Sequence, residues 1–194
     1  MIVDPLYAFV FLGLFTPGPN IVLLTASGAR FGFTATLPHL LGVVLGVGVV
    51  SGITGFGVSA ALGSLPVVVA TLLKFIAVGW MLYMAYGLWN ASVISTSNHA
   101  RPMNFIEAVL FQWVNPKVWA VAFAAVSAHP SSASMLGEAL RVASAFSAIN
   151  LAVCLFWTST GTVLRYLLVT RTAWTLFTRS MATALAVFSI MIFV

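Results

Sequence analysis

The stretch FLGLFTPGPNIVLLTASG, residues 11–28, decides the fold. Its two ends read as halves of one apolar helix, yet its middle is Thr16-Pro17-Gly18-Pro19-Asn20. Proline has no N–H, so Pro17 and Pro19 leave the carbonyls of Gly13 and Phe15 without their helical partners. Each also drives the residue before it, Thr16 or Gly18, out of the α region. One interior proline costs about 3 kcal/mol or more. Two in alternate positions interrupt a helix rather than bend it. Gly18 supplies freedom for the break, Pro19 suits the first turn of a new helix, and Asn20 brings an amide to the junction.

The surroundings make that break more unusual still. The chain has 194 residues, of which 61% are hydrophobic and only 6% charged, with a mean hydropathy of +1.11. Soluble domains carry about 25% charged residues, so this chain lacks the polar surface to coat a water-soluble globule. It reads as an all-α integral membrane protein with one transporter-sized domain, residues 1–194. A helix needs about 20 apolar residues to cross a bilayer. Six stretches qualify: 5–27, 37–62, 66–91, 105–128, 141–164 and 173–194. Arg179 makes the sixth the weakest, and it fits only if Arg179 snorkels to an interface. The apolar runs are too long and too uniform for barrel strands. The first residues lack the basic start and small-residue cleavage site of a signal peptide.

The net charge of +5 comes from scattered residues, so no basic patch for nucleic acid is expected. Arg30, Arg101 and Arg171 fall in the connections after the first, third and fifth stretches. The other two connections contain no Lys or Arg. Positive-inside counting puts the odd connections in the cytoplasm and both termini outside. Gly42, Gly46, Gly48, Gly52, Gly55 and Gly57 crowd the second stretch. Such spacing serves close helix packing within the chain, a homodimer contact or a hinge. Tyr83, Tyr86 and Trp89 read first as an interfacial belt. Cys154 stands alone in an apolar run, so no intramolecular disulfide is expected.

A second break lies in FQWVNPKVWAVAF, residues 111–123. Pro116 frees the carbonyl of Gln112, Asn115 is a good N-cap and Pro116 a good first helical residue. Lys117 follows at once. The breaks fall in the first and fourth stretches, dividing the chain into halves of about 1–92 and 104–194. Three crossings per half give the halves opposite orientation. Two inverted three-helix repeats, each opened by a helix broken near the midplane, are the architecture expected of a secondary transporter.

Irregular backbone at membrane depth survives only inside protein or along a wet cavity. A half-helix that starts at a break presents free N–H groups and a positive dipole end. Two such ends with Lys117 favour an anionic group such as a substrate carboxylate, and Lys117 is a candidate carrier of a coupling proton. The candidate substrate-binding residues are Thr16, Pro17, Gly18, Pro19, Asn20, Gln112, Asn115, Pro116 and Lys117. Asn20 and Asn115 serve equally as structural caps, and Asn150 equally as an interhelical hydrogen bond. His39 reads as interfacial. The acids Asp4, Glu107 and Glu138 all lie near the ends of their stretches, which argues against a dicationic substrate. No metal, cofactor or catalytic residue is expected. A passive channel would want more polar residues along a path. An intramembrane enzyme would want a nucleophile, base and acid at workable spacing. A structural or assembly subunit would have no use for two breaks.

Four features together resemble the lysine exporter (LysE/RhtB) family of amino-acid exporters. They are Thr16-Pro17-Gly18-Pro19-Asn20, then GARFGFTATLPHLLGVVLG from Gly28 to Gly46, then Gly79 with Gly87 among aromatic residues, and last Asn115-Pro116-Lys117. They run in the family's order over the first two-thirds of the chain. The aromatic in the third stretch comes one position late, Tyr83 after Leu82. The resemblance implies efflux of amino acids or related metabolites across the bacterial inner membrane, by proton antiport, without naming the substrate.

Overall fold

The computed structural model describes residues 5–16, 18–58, 67–90, 101–129, 131 and 133–190. All the regular structure described is helical: α1 (Pro5–Phe15), α2 (Pro19–Phe31), α3 (Phe33–Ile53), α4 (Val67–Trp89), α5 (Phe105–Val114), α6 (Pro116–Ala128), α7 (Met135–Leu167) and α8 (Arg171–Ile190). Phe33–Gly57 and Met135–Leu167 are each long and apolar enough to cross a membrane. The pairs α1–α2 and α5–α6 pass the same test as single spans bent by 59° and 64°, which makes up to four spans by length and composition. The chain is thus a membrane-embedded helical protein with two sharply broken helices.

Helix ends follow local chemistry. Pro19 occupies the first turn of α2, behind an extended Gly18. Gly32 alone joins α2 to α3; its φ of 85° lies in the left-handed region that glycine tolerates, and its N–H closes on the Gly28 carbonyl at 2.9 Å. The second stretch therefore starts as helix at Phe33, four residues before the expected 37. Pro38, the sixth residue of α3, does not stop it and forgoes only the bond to the Thr34 carbonyl. α3 ends in a π-helical turn, Thr54–Val58, where Gly57 again has positive φ. α7 is longer than the expected 141–164, with 33 residues. Ser134 caps it by accepting from the Gly137 N–H, and Glu138 in its first turn pairs with Arg141 at 2.8 Å.

Close approach organises the packing. α3 lies between α5 and α7. A Cβ on Gly46 would sit 2.6 Å from Gln112 Cγ on α5, and one on Gly52 3.0 Å from Ala143 Cβ on α7. The glycines of the second stretch thus face neighbouring helices of the same chain. α2 and α7 meet as closely: a Cβ on Gly28 would fall 2.5 Å from the Thr158 carbonyl oxygen. One apolar cluster, including Leu6, Val10, Leu14, Val43, Val118 and Phe146, ties α1, α3, α6 and α7 together. A second, with Val22, Leu23, Met81, Phe111 and Leu185, seats the α4–α8 pair on α2 and α5. Tyr83, Tyr86 and Trp89 are exposed. Arg179 packs over the Trp89 ring at 4.9 Å, a cation–π contact open to an interfacial arginine.

Candidate functional site

The two breaks meet. At the first, Pro17 lies outside the described residues, and the carbonyl it would leave unpaired is Gly13's. The Thr16 hydroxyl donates to that carbonyl at 2.9 Å. The side chain before the proline thus supplies the hydrogen that the proline lacks. At the second, Asn115 ends α5 and starts α6. Its N–H reaches the Gln112 carbonyl at 3.4 Å, the group freed by Pro116. Its side-chain oxygen caps the Lys117 N–H at 3.2 Å.

A polar bridge then joins break to break. Gln112 is fully buried. Its side-chain oxygen accepts from Asn20 Nδ2 at 2.8 Å and from Asn115 Nδ2 at 3.3 Å, while its Nε2 donates to the Ala108 carbonyl at 2.9 Å. From the other side, Lys117 Nζ donates to the Thr16 carbonyl and, at 2.9 Å, to the Thr16 hydroxyl. The ammonium therefore rests on the carbonyl end of α1, where a helix carries partial negative charge. The sequence reading had set it against positive helix ends only. Gly18 makes this reach possible: a Cβ there would lie 2.6 Å from Lys117 Cδ and 3.0 Å from Nζ.

Eight of the nine candidate residues, Thr16, Gly18, Pro19, Asn20, Gln112, Asn115, Pro116 and Lys117, stand at this junction. Two more join them from α7. Asn150 and Cys154 line the same small cavity of about 20 Å³ as Asn20, Asn115 and Lys117, room for about one water. Asn20 Oδ1 and Asn150 Nδ2, an acceptor and a donor, are buried there with no partner among the described residues. An asparagine in the middle of an apolar run was the only available signal for Asn150. The described acids are engaged elsewhere. Glu107 pairs with Arg101 at 2.8 Å and completes a capping box with Asn104, holding the Arg101 guanidinium above its ordinary pKa. Glu138 is held by Arg141. Among the described residues no three His, Cys, Asp or Glu side chains gather as a metal site would require.

The chain is in class a membrane-embedded helical protein whose two broken helices meet at one polar junction. The chain is similar to proteins named cysteine/O-acetylserine efflux protein in Salmonella choleraesuis (strain SC-B67) and in Salmonella typhimurium (strain LT2). It is 23% identical to each over 118 residues, which is 61% of this chain and 60% of the relative. The matched stretch thus spans less than two-thirds of those relatives' length. No protein-family model matches the chain, and no solved structure matches it significantly.

Proposed function

We propose that this protein is a secondary exporter of small zwitterionic amino acids or related metabolites, a member of the lysine exporter family working in the bacterial inner membrane. α4, with 23 residues, and α8, with 20, complete six crossings. The halves form inverted repeats, with the breaks near the midplane and both termini periplasmic. The observation that carries this reading is the pairing of the two breaks by the Lys117–Thr16 and Asn20–Gln112–Asn115 contacts. Broken helices that meet at one point are what an alternating-access carrier uses to hold its cargo.

The chemistry supports a zwitterion. Lys117 offers a cation for a carboxylate, and the α1 carbonyl end offers acceptors for an ammonium. No described carboxylate stands at the junction to hold a second positive charge. The relatives' name supports cysteine and O-acetylserine as first choices, both small and singly zwitterionic. The cavity of about 20 Å³ is smaller than either molecule and must widen to admit one. In this reading Lys117 also carries the coupling proton.

The test is transport into inside-out vesicles, with a panel of amino acids and O-acetylserine, with and without a pH gradient. Protein-dependent uptake that grows with the gradient is expected for a small neutral member. If no member moves, the exporter reading fails; if movement ignores the gradient, proton coupling fails.

A further inference from the structure

A second cavity, of about 210 Å³, opens at the other end of α2. Ser27 and Arg30 of α2, His39 of α3, Leu88 of α4, and Arg101 and Met103 ahead of α5 line it. Arg30 follows Asn20 by ten residues, so this cavity lies about 15 Å along α2 from the break. The junction site does not use it.

Its polar groups are poised for a ligand. His39 is 2% exposed, lines the cavity, and neither ring nitrogen has a partner among the described residues. A buried imidazole normally has both nitrogens satisfied. Among the described residues no hydrogen bond or ion pair holds the Arg30 guanidinium; it lies 5.1 Å over the Phe31 ring. The Ser27 hydroxyl is within 3.0 Å of the Thr36 hydroxyl, which itself donates to the Gly32 carbonyl. Ser27 must then donate to Thr36, and its lone pairs remain as acceptors. The cavity therefore offers a fork of cationic donors, an imidazole with one donor and one acceptor, and a hydroxyl acceptor.

We propose that this cavity is a second binding site for the substrate, a vestibule in which Arg30 takes the carboxylate of a zwitterionic amino acid while His39 and Ser27 receive its ammonium or hydroxyl group. The proposal takes its ligand class from the exporter reading and its location from the cavity alone. The guanidinium fork matches a carboxylate's two oxygens. Arg101 also lines the cavity but is neutralised by its ion pair with Glu107, which leaves Arg30 as the anion-binding group. Arg30 and Arg101 belong to connections assigned to the cytoplasm, so an exported molecule would meet Arg30 before Lys117.

The experiment follows thermal stabilisation of the full chain in lipid nanodiscs by a panel of zwitterionic amino acids and O-acetyl-L-serine, each beside its amine lacking the carboxylate. At least one panel member should still stabilise the Lys117→Gln protein, in which the junction has lost its cation, while its amine should not. Added to Lys117→Gln, Arg30→Gln should weaken that binding at least about tenfold, the size expected when a charge-assisted hydrogen bond is lost. Arg30→Lys, which keeps the charge and loses the fork, should weaken it less and guards against a folding failure of Arg30→Gln. Absence of binding to Lys117→Gln by every panel member overturns the vestibule. So does unchanged affinity when Arg30→Gln and His39→Leu are each added to Lys117→Gln. Binding that depends on Arg30 without transport in vesicles would leave the vestibule standing and remove the exporter.

Discussion

Gln112→Leu is the sharpest probe of the junction. The substitution keeps the bulk of a fully buried side chain and removes its polar atoms. Two donors, Asn20 Nδ2 and Asn115 Nδ2, then lose the oxygen they share. Each orphaned donor costs about 1 kcal/mol at the low end of the usual range, so the variant should lose about 2 kcal/mol in all. Asn20→Leu removes one of the two bonds and should cost less. In the double variant the Asn20–Gln112 bond is lost only once. Its destabilisation should therefore fall short of the sum of the singles by about 0.6–1.7 kcal/mol, the range of interhelical hydrogen bonds in bilayers. The assay is reversible unfolding in mixed micelles, followed by tryptophan fluorescence. Trp113 and Trp119, whose rings lie 6.3 Å apart across the second break, report from the junction itself. Additive single-variant losses would show that Asn20 and Gln112 do not touch, and the stitched-break geometry would be wrong.

Lys117→Ala and Asn20→Ala should each lower vesicle transport at least about tenfold, because each removes a charged or buried hydrogen-bonding group, while membrane insertion stays normal on fractionation. Gly28→Ala should destabilise by about 1–3 kcal/mol in the same unfolding assay, since its Cβ meets backbone at the α2–α7 crossing. Gly79→Ala, which meets nothing within 4 Å, should be neutral or gain up to about 1 kcal/mol in helix propensity. A transported amino acid stripped of one charge, as its methyl ester or its N-acetyl derivative, should compete for uptake at least about tenfold less well than the parent.

The breaks were legible because proline chemistry is local. A missing N–H and a clash with the preceding residue need no knowledge of the rest of the fold. The same locality marked the Gln112 carbonyl as freed and Asn115 as a cap. What Lys117 touches was not legible, since its reach depends on α1 and α6 approaching and on Gly18 leaving room for its stem. The start of α3 lies four residues before the expected 37 because the chain turns at Gly32, whose positive φ joins α2 to α3 in a single residue. His39 read as interfacial, and its burial against a cavity beside Arg30 and Arg101 had no local signal. Asn150 stood undecided between a helix contact and a site, and only the packing of α7 against α2 and α6 brings it to the junction.

The position of the Lys117 ammonium gives the exporter reading a reason for its selectivity. The α1 carbonyl end and the Lys117 cation satisfy each other. A carboxylate that draws Lys117 away strips the Thr16 carbonyl of its donor. A lone anion would leave that carbonyl bare, and a lone cation would have to displace Lys117 with nothing to receive it. In that reading a zwitterion would replace both partners at once: its carboxylate would take the ammonium of Lys117, and its own ammonium would take the place that Lys117 vacated. The exchange conserves the count of charge-assisted hydrogen bonds, so loading need not strand a buried charge. Such a swap would break the Lys117–Thr16 contact between α1 and α6, which in that reading links the arrival of cargo to the joint that holds it.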